Sequence, residues 1–337
     1  MTKEHLDRLQ DTLSGQTRVL ILPHNDPDPD AIAAAVGLRY LLVEKFAIEA
    51  RIAYHGIIGR AENKALVRYL KNPSHKLNSS ELGKGIPIAL VDTQPGAGNN
   101  PLPANITPII VIDHHTWREA SALSPFVDVR TEIGASATII TSYLQAADLD
   151  PPPFLATALF YGIKTDTMSL GRNASPDDVE AYFYLQPKID VNALIEIERA
   201  QVPATYFKNL ARFLQATRIY DDNLLITNLG MLDYPDLGAE IADLLLRLQG
   251  ARWVICIGEY NHELILSVRS RSVRIGAGKL AQKIVGNLGT AGGHGTMAGG
   301  HVPLRDNDPE QVRAQLVETA LRYIKGDANL AGAPLAE

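Results

Sequence analysis

Cysteine is almost missing from this sequence: its 337 residues hold one, Cys256, inside the apolar run Trp253-Val254-Ile255-Cys256-Ile257. A single thiol excludes an internal disulfide framework and a thiolate-built structural zinc site. Its surroundings predict a buried strand residue. Apolar runs long enough to cross a bilayer are absent as well, and residues 1–17 are polar and charged, unlike a secretory signal. Together these absences predict a soluble, cytoplasmic protein without membrane contact. A basic surplus is also lacking, since Lys and Arg number 32 against 38 Asp and Glu, a net charge of −6. Proteins that grip long duplex DNA carry a basic face. A small anionic ligand fits this balance better, with bound cations supplying the positive charge.

What is present has ordinary globular composition, 46% hydrophobic and 21% charged, in a chain too long for one comfortable core. The first half alternates strand-like and helix-like segments. Arg18–Pro23, Ala50–Tyr54, Ile86–Val91 and Pro108–Ile112 read as strands; Asp30–Phe46, Glu62–Leu70, Gly134–Ala147 and Phe154–Lys164 read as helices. Such alternation predicts an α/β fold with a parallel sheet and helices on both faces. Residues 1–187 form the first expected domain, 188–214 a helical linker, and 215–330 a smaller C-terminal α/β domain. Within the latter, strands are expected at Asn223–Asn228, Ala251–Gly258 and Glu263–Arg269. Helices are expected at Leu237–Leu248, Ile275–Leu288 and Pro309–Ile324, with a glycine-rich stretch from Gly289 to Gly300. The Ala-, Gly- and Pro-rich tail after Lys325 predicts a loose end.

The strongest local signal is His24-Asn25-Asp26-Pro27-Asp28-Pro29-Asp30-Ala31, which follows a strand and opens a helix. Two prolines stiffen a loop that carries three potential ligands, His24, Asp28 and Asp30. Asp92, Asp113-His114-His115 and Asp166 each follow an apolar run in the same way. In a parallel sheet these ends converge on one edge, where ligands of open α/β sheets bind. Carboxylates mixed with imidazoles suit Mn2+, Fe2+ or Zn2+. So many clustered carboxylates would raise one another's pKa unless cations lay between them. Two ions roughly 3.5–4 Å apart would resolve that repulsion and provide a site for in-line displacement at phosphorus.

These motifs resemble those of the DHH phosphoesterase superfamily. His24 to Ala31 resembles its first motif, Asp92 its second, Asp113-His114-His115 its third, and Asp166 within Gly162-Ile163-Lys164-Thr165-Asp166-Thr167 its fourth. Gly134-Ala135-Ser136-Ala137-Thr138 resembles the helix start placed between the third and fourth. Ser267-Val268-Arg269-Ser270-Arg271 and Gly289-Thr290-Ala291-Gly292-Gly293-His294-Gly295 resemble the signatures of the DHH-associated C-terminal domain of oligoribonucleases, cyclic-dinucleotide phosphodiesterases and RecJ-like nucleases. Two departures stand out. Alanines follow Asp30 where relatives carry glycine, and Ala291 interrupts the glycine run.

The resemblance implies two divalent metal ions, Mn2+ first and Mg2+, Fe2+ or Co2+ as alternatives. One would be held by His24, Asp28 and Asp92, the other by Asp30, Asp92, His114 and Asp166, with Asp92 bridging. Asp113 would orient the site, and His115 would face the scissile phosphate. Arg269, Arg271, Gly292, Gly293 and His294 would bind substrate, in an active site placed in a cleft between the domains. The implied partners are short single-stranded or cyclic nucleotides, and a homodimer is compatible with the resemblance. The implied reaction is hydrolysis of short oligonucleotides to nucleoside 5′-monophosphates. Hydrolysis of a cyclic dinucleotide, or of the 3′-phosphate of 3′-phosphoadenosine 5′-phosphate, is the alternative. Behind these stand an inorganic pyrophosphatase and a silent nucleotide sensor; the sensor would be missing a ligand.

Overall fold

The computed structural model describes residues 3–83, 85–272 and 276–336, with only the main chain of His294. The chain divides into two compact units, Met1–Ala200 and Gln201–Glu337.

In the first unit the elements run α1 (Lys3–Thr12), β1 (Arg18–Pro23), α2 (Pro29–Phe46), β2 (Glu49–Tyr54), α3 (Ala61–Tyr69), β3 (Ser74–Lys76), β4 (Ile88–Val91), β5 (Ile110–Asp113), β6 (Phe126–Val129), α4 (Ser136–Ala146), α5 (Pro153–Asp166), α6 (Pro176–Leu185) and α7 (Val191–Glu198). Six strands make one sheet in the order β3-β2-β1-β4-β5-β6, every pairing parallel. The chain leaves β1 toward β2 and β3, then returns to β4 on the other side of β1. That reversal opens a crevice at the carboxyl ends of β1 and β4, a ligand position characteristic of open α/β sheets.

Strand residues alternate between two buried layers. Val19, Ile21, Ala89, Val91, Ile110, Ile112 and Phe126 join the helices α1 to α7 in one cluster. Leu20, Leu22, Ala53, Ile88, Leu90 and Val111 join a second cluster with Leu77, Leu82, Ile86, Leu102 and Ile106, none of them in an α-helix. Where helices were expected on both faces, one face is therefore covered by connecting segments. The apolar strand runs report burial on both sides, but a loop's leucine and isoleucine bury a strand as effectively as a helix does. At the centre of the helical layer, α2 is buried nearly all round from Pro29 to Leu38. Its Gly37 has no room for a side chain: a Cβ there would stand 2.5 Å from Ile140 of α4.

The second unit holds α8 (Ala204–Ala216), β7 (Thr217–Tyr220), β8 (Leu224–Met231), α9 (Leu237–Leu245), β9 (Trp253–Tyr260), β10 (Glu263–Ser270), α10 (Ala277–Val285), β11 (Thr290–His294), β12 (Met297–Pro303), α11 (Pro309–Lys325) and β13 (Ala333–Pro334). Its sheet of seven strands runs β11-β12-β10-β9-β8-β7-β13, with β8 and β9 parallel and the other pairs antiparallel. Cys256 is fully buried in β9, where burial pushes its thiol far up. The stretch 188–214 is shared between the units: α7 buries Leu194 and Ile197 in the first core, α8 buries Phe213 in the second. Of the helix expected at 275–288, Ile275 lies outside the described residues. The tail is not loose at its end. β13 pairs with β7, and Leu335 N donates to Thr217 O at 3.0 Å, main-chain partnerships that side-chain composition does not reveal.

Candidate metal centre

Each acid and imidazole singled out in the first unit lies at the carboxyl edge of the sheet or on a helix packed over it. His24 follows β1. Asp28 is the N-cap of α2, its side chain accepting from Ala31 N at 3.0 Å, and Pro29 takes the first helical position, where no N–H is needed. Asp30 follows, fully buried. Asp92 directly follows β4 with φ of +59°, a left-handed conformation that Asp tolerates better than most residues; its N–H donates to Ile112 O at 2.9 Å. Asp113 ends β5, His114 and His115 follow it, and Asp166 ends α5.

Three overlapping groups of these side chains place ligand atoms within 4.8 Å of one another: His24, Asp28 and Asp92; Asp30, His114 and Asp166; Asp92, His114 and His115. His24 Nε2 lies 3.6 Å from Asp28 Oδ1 and 3.5 Å from Asp92 Oδ2. His114 Nε2 lies 3.4 Å from Asp92 Oδ1, 3.5 Å from Asp166 Oδ2 and 4.0 Å from Asp30 Oδ2. Ligands roughly 2.1 Å from one ion in a tetrahedral arrangement stand about 3.4 Å apart, so these gaps match ligands spread around a cation. The Nδ1 of His114 is engaged with Ile133 O at 3.2 Å, while its buried Nε2 has no hydrogen-bond partner. An orphaned imidazole nitrogen among three carboxylates fits a divalent ion.

Ser136, at the start of α4, ties two of the acids together. Its N–H donates to Asp30 Oδ2 at 2.6 Å, and its hydroxyl donates to Asp92 Oδ1 at 2.9 Å. The Ala137 N–H donates to Asp30 Oδ1 at 2.8 Å. Asp30 thus receives the first N–H groups of α4 and its positive dipole end. Gly162 of α5 permits this approach, because a Cβ there would come 3.1 Å from both Cα and Oδ1 of Asp30.

Burial disfavours charge here, and proximity decides which groups retain it. Burial, then the charges of Asp92 and Asp166, hold Asp30 well above the usual carboxyl range. Burial, then the Asp28 charge, pushes Asp166 up to about 7. Asp92 goes the other way: burial opposes ionisation, but the neighbouring imidazoles of His114, His115 and His24 hold it far below. Asp28 is lowered through His24 despite its burial. Burial alone would depress all three imidazoles. Asp28 beside His24, Asp92 beside His114 and Asp113 beside His115 hold them above their ordinary value instead.

Asp113 is buried and takes His115 Nδ1 on one oxygen at 2.8 Å. On the other it takes Gln94 Nε2 at 2.6 Å. Gln94 and the role of Ser136 escaped sequence reasoning. The only signal for Gln94 was its position two residues beyond Asp92, and Ser136 stood in a small-residue helix start.

In the second unit, Arg269 is buried in β10 and ion-paired with Asp243, Nε to Oδ1 2.6 Å. Arg271 is exposed, its Nη2 donating to Leu246 O at 2.8 Å. The glycine stretch is a hairpin: β11 and β12 pair Gly292 with Gly299 and Gly293 with Ala298. Gly293, at φ +150°, has Met297 O 2.4 Å from where a Cβ would lie, so only glycine fits; at Gly292 the space is open. The side chain of His294 lies outside the described residues.

Residues 18–163 match the family described as the DHH family, N-terminal domain. An uncharacterized protein of Methanocaldococcus jannaschii is 36% identical over 309 residues, spanning 90% of this chain and 62% of that protein. The cyclic-di-AMP phosphodiesterase GdpP of Bacillus subtilis is 25% identical over 310 residues, spanning 86% of this chain and 46% of that protein. The chain thus spans less than two thirds of the length of either relative. Among solved structures, an exopolyphosphatase-related protein from Bacteroides fragilis has the same fold, with a TM-score of 0.75 at 15% identity over 96% of this chain and 97% of that one. Residues 18–163 are thus similar to the N-terminal domain of the DHH family, and the carboxylate–imidazole cluster lies within that stretch and just beyond it, at Asp166.

Proposed function

We propose that this chain is a metal-dependent phosphodiesterase that hydrolyses short oligonucleotides to nucleoside 5′-monophosphates. The observation that carries the reading is the buried, unpartnered Nε2 of His114 facing Asp30, Asp92 and Asp166. His24, Asp28 and Asp92 would hold one ion, and Asp30, Asp92, His114 and Asp166 the other; Mn2+ suits that mixture of carboxylate and imidazole. When bound, a pair of divalent ions acidifies a water and neutralises charge developing on phosphate oxygens.

The remaining work falls to side chains of this chain. Asp92 belongs to two of the clusters, so its position sets the spacing between the groups. His115 is half-exposed beside Asp92, with Nδ1 engaged by Asp113, so proton exchange with a substrate oxygen falls to its Nε2. Asp113 and Asp92 hold this imidazole above its ordinary value against its burial, the direction that favours giving a proton to a departing oxygen. Arg271, with the hairpin glycines Gly292 and Gly293 and with His294, would receive a nucleotide phosphate, and Arg269 would stiffen that strand through Asp243.

A second reading, hydrolysis of a cyclic dinucleotide, is favoured by the similarity to the cyclic-di-AMP phosphodiesterase. Release of mononucleotide, linear dinucleotide or phosphate is measured with Mn2+ on dinucleotides, cyclic dinucleotides, 3′-phosphoadenosine 5′-phosphate and pyrophosphate, with Asp92→Ala as control. Preferred cleavage of linear dinucleotides supports the first reading, and preferred cleavage of the cyclic substrate supports the second. Phosphate release from pyrophosphate alone refutes both.

A further inference from the structure

Gln94 is 1% exposed and lies two residues beyond Asp92, yet none of its recorded partners is one of the six proposed metal ligands. Its Nε2 meets Asp113 Oδ2 at 2.6 Å, Thr116 O at 3.1 Å and His115 O at 3.4 Å. Its Oε1 accepts from Arg118 N at 2.8 Å and from Ser121 Oγ at 3.0 Å. One end of the carboxamide therefore faces three acceptors and the other faces donors, which fixes the orientation of the amide. Gln94 is itself anchored, since its carbonyl accepts from Asn100 Nδ2 at 2.8 Å.

We infer that Gln94 is the positioning residue for His115, acting through Asp113, and that the site requires its two carboxamide hydrogens rather than its bulk. Two routes converge on the imidazole. Through the side chains, Gln94 fixes the rotation of the Asp113 carboxylate, whose other oxygen then lies 2.8 Å from His115 Nδ1. Through the main chain, the same amide spans Thr116 O and Arg118 N, holding the segment that carries His115. A glutamate in place of Gln94 has nearly the same shape but would turn an oxygen toward the carboxylate and two carbonyls. Acceptor would then face acceptor, and the carboxylate would lose the partner that sets its rotation.

This rests on the phosphodiesterase reading for its kinetic arm only. Gln94→Glu is compared with the wild type, with His115→Ala and with the double variant. Mn2+ affinity by calorimetry should stay within about threefold, while kcat falls roughly 10–100-fold. In the His115→Ala background, adding Gln94→Glu should cost less than about twofold, because the positioned group is already gone. Full multiplication of the two losses overturns the inference, as does loss of Mn2+ affinity in step with turnover. A second measurement needs no substrate: the His115 Nδ1–H proton resonance of the metal-free chain. It should shift or broaden in Gln94→Glu and stay unchanged in Arg271→Ala. An unaltered resonance in folded Gln94→Glu overturns the inference even if no nucleotide is cleaved, and Gln94→Met, of similar volume, replaces the glutamate variant if that fails to fold.

Discussion

Asp30 and Ser136 stand 106 positions apart in sequence, yet the Ser136 N–H donates to Asp30 Oδ2 at 2.6 Å. The carboxylate of a proposed metal ligand is thus also the cap of α4. Asp30→Ala should strip partners from two buried N–H groups, those of Ser136 and Ala137. A cost of about 1–3 kcal/mol follows for the metal-free chain, measured by urea unfolding. Asp30→Asn, which keeps an acceptor, should cost less in that assay while still weakening Mn2+ binding. Equal destabilisation by the two variants would contradict the capping role.

Gly162 makes room for that same carboxylate. Its substitution by alanine would set a methyl 3.1 Å from Asp30 Oδ1, with Ala137 Cβ 3.3 Å away on the other side. Overpacking at such a point costs about 1–3 kcal/mol. Because the crowded atom belongs to a proposed ligand, Mn2+ affinity should fall along with stability. Unfolding with and without Mn2+ reads both effects, and an unaltered metal-dependent stabilisation in Gly162→Ala would dissociate Asp30 from the ion.

The direction of the pH dependence follows from the raised groups. Asp30 and Asp166, at about 7 for the latter, keep protons in the metal-free folded chain that the unfolded chain releases above about pH 4. Stability of the metal-free chain therefore declines as pH rises from about 4 through 7 on their account. The raised histidines His24 and His114 act in the same direction, since their contribution is complete below about 6.5 and fades as pH climbs. Divalent ions displace those protons. The rise in Tm on saturation with Mn2+ should be larger at pH 8 than at pH 5.5, with protons released on binding. A larger rise at the acidic pH would contradict the assignment of these groups as ligands.

Away from the centre, Asp128 joins β6 to the helical layer. Arg130 donates to both its oxygens, at 2.8 and 2.6 Å, and the Tyr143 hydroxyl donates to Oδ2 at 2.7 Å. Burial would raise this carboxyl, but Arg130 holds it below the usual range. Its contribution is present above the ordinary Asp value near 4 and is lost as pH falls through the lower folded value. Tyr143→Phe should cost about 1–2 kcal/mol at pH 7. Asp128→Asn should flatten the loss of stability on acidification below about pH 4, and an unchanged acid limb in equilibrium unfolding would refute that.

The side chains of the candidate site were legible because most follow directly on an apolar run: His24 after β1, Asp92 after β4, Asp113-His114-His115 from the end of β5, and Asp166 at the end of α5. A parallel sheet turns that one-dimensional pattern into convergence at one edge. Contacts set by tertiary packing left no such trace. Gln94 sits in a polar turn that reads as loop, and its importance lies in three acceptors contributed from 113 to 116. The second covered face of the first sheet looked like a place for helices, since a strand buried by Leu102 and Ile106 has the same apolar run as one buried by a helix. The glycine stretch, expected to cradle a phosphate, pairs as a hairpin. Its glycines at 293 and 300 are required by close backbone and side-chain neighbours, a demand that composition does not distinguish from ligand binding.

The most direct test titrates the metal-free chain with Mn2+ by calorimetry, alongside Asp92→Asn. Because Asp92 lies within reach of both His24 and His114, the wild type should take two ions per chain, and the variant should lose high-affinity binding of both. A wild type that binds one ion or none, or an Asp92→Asn variant that keeps two, would contradict the account.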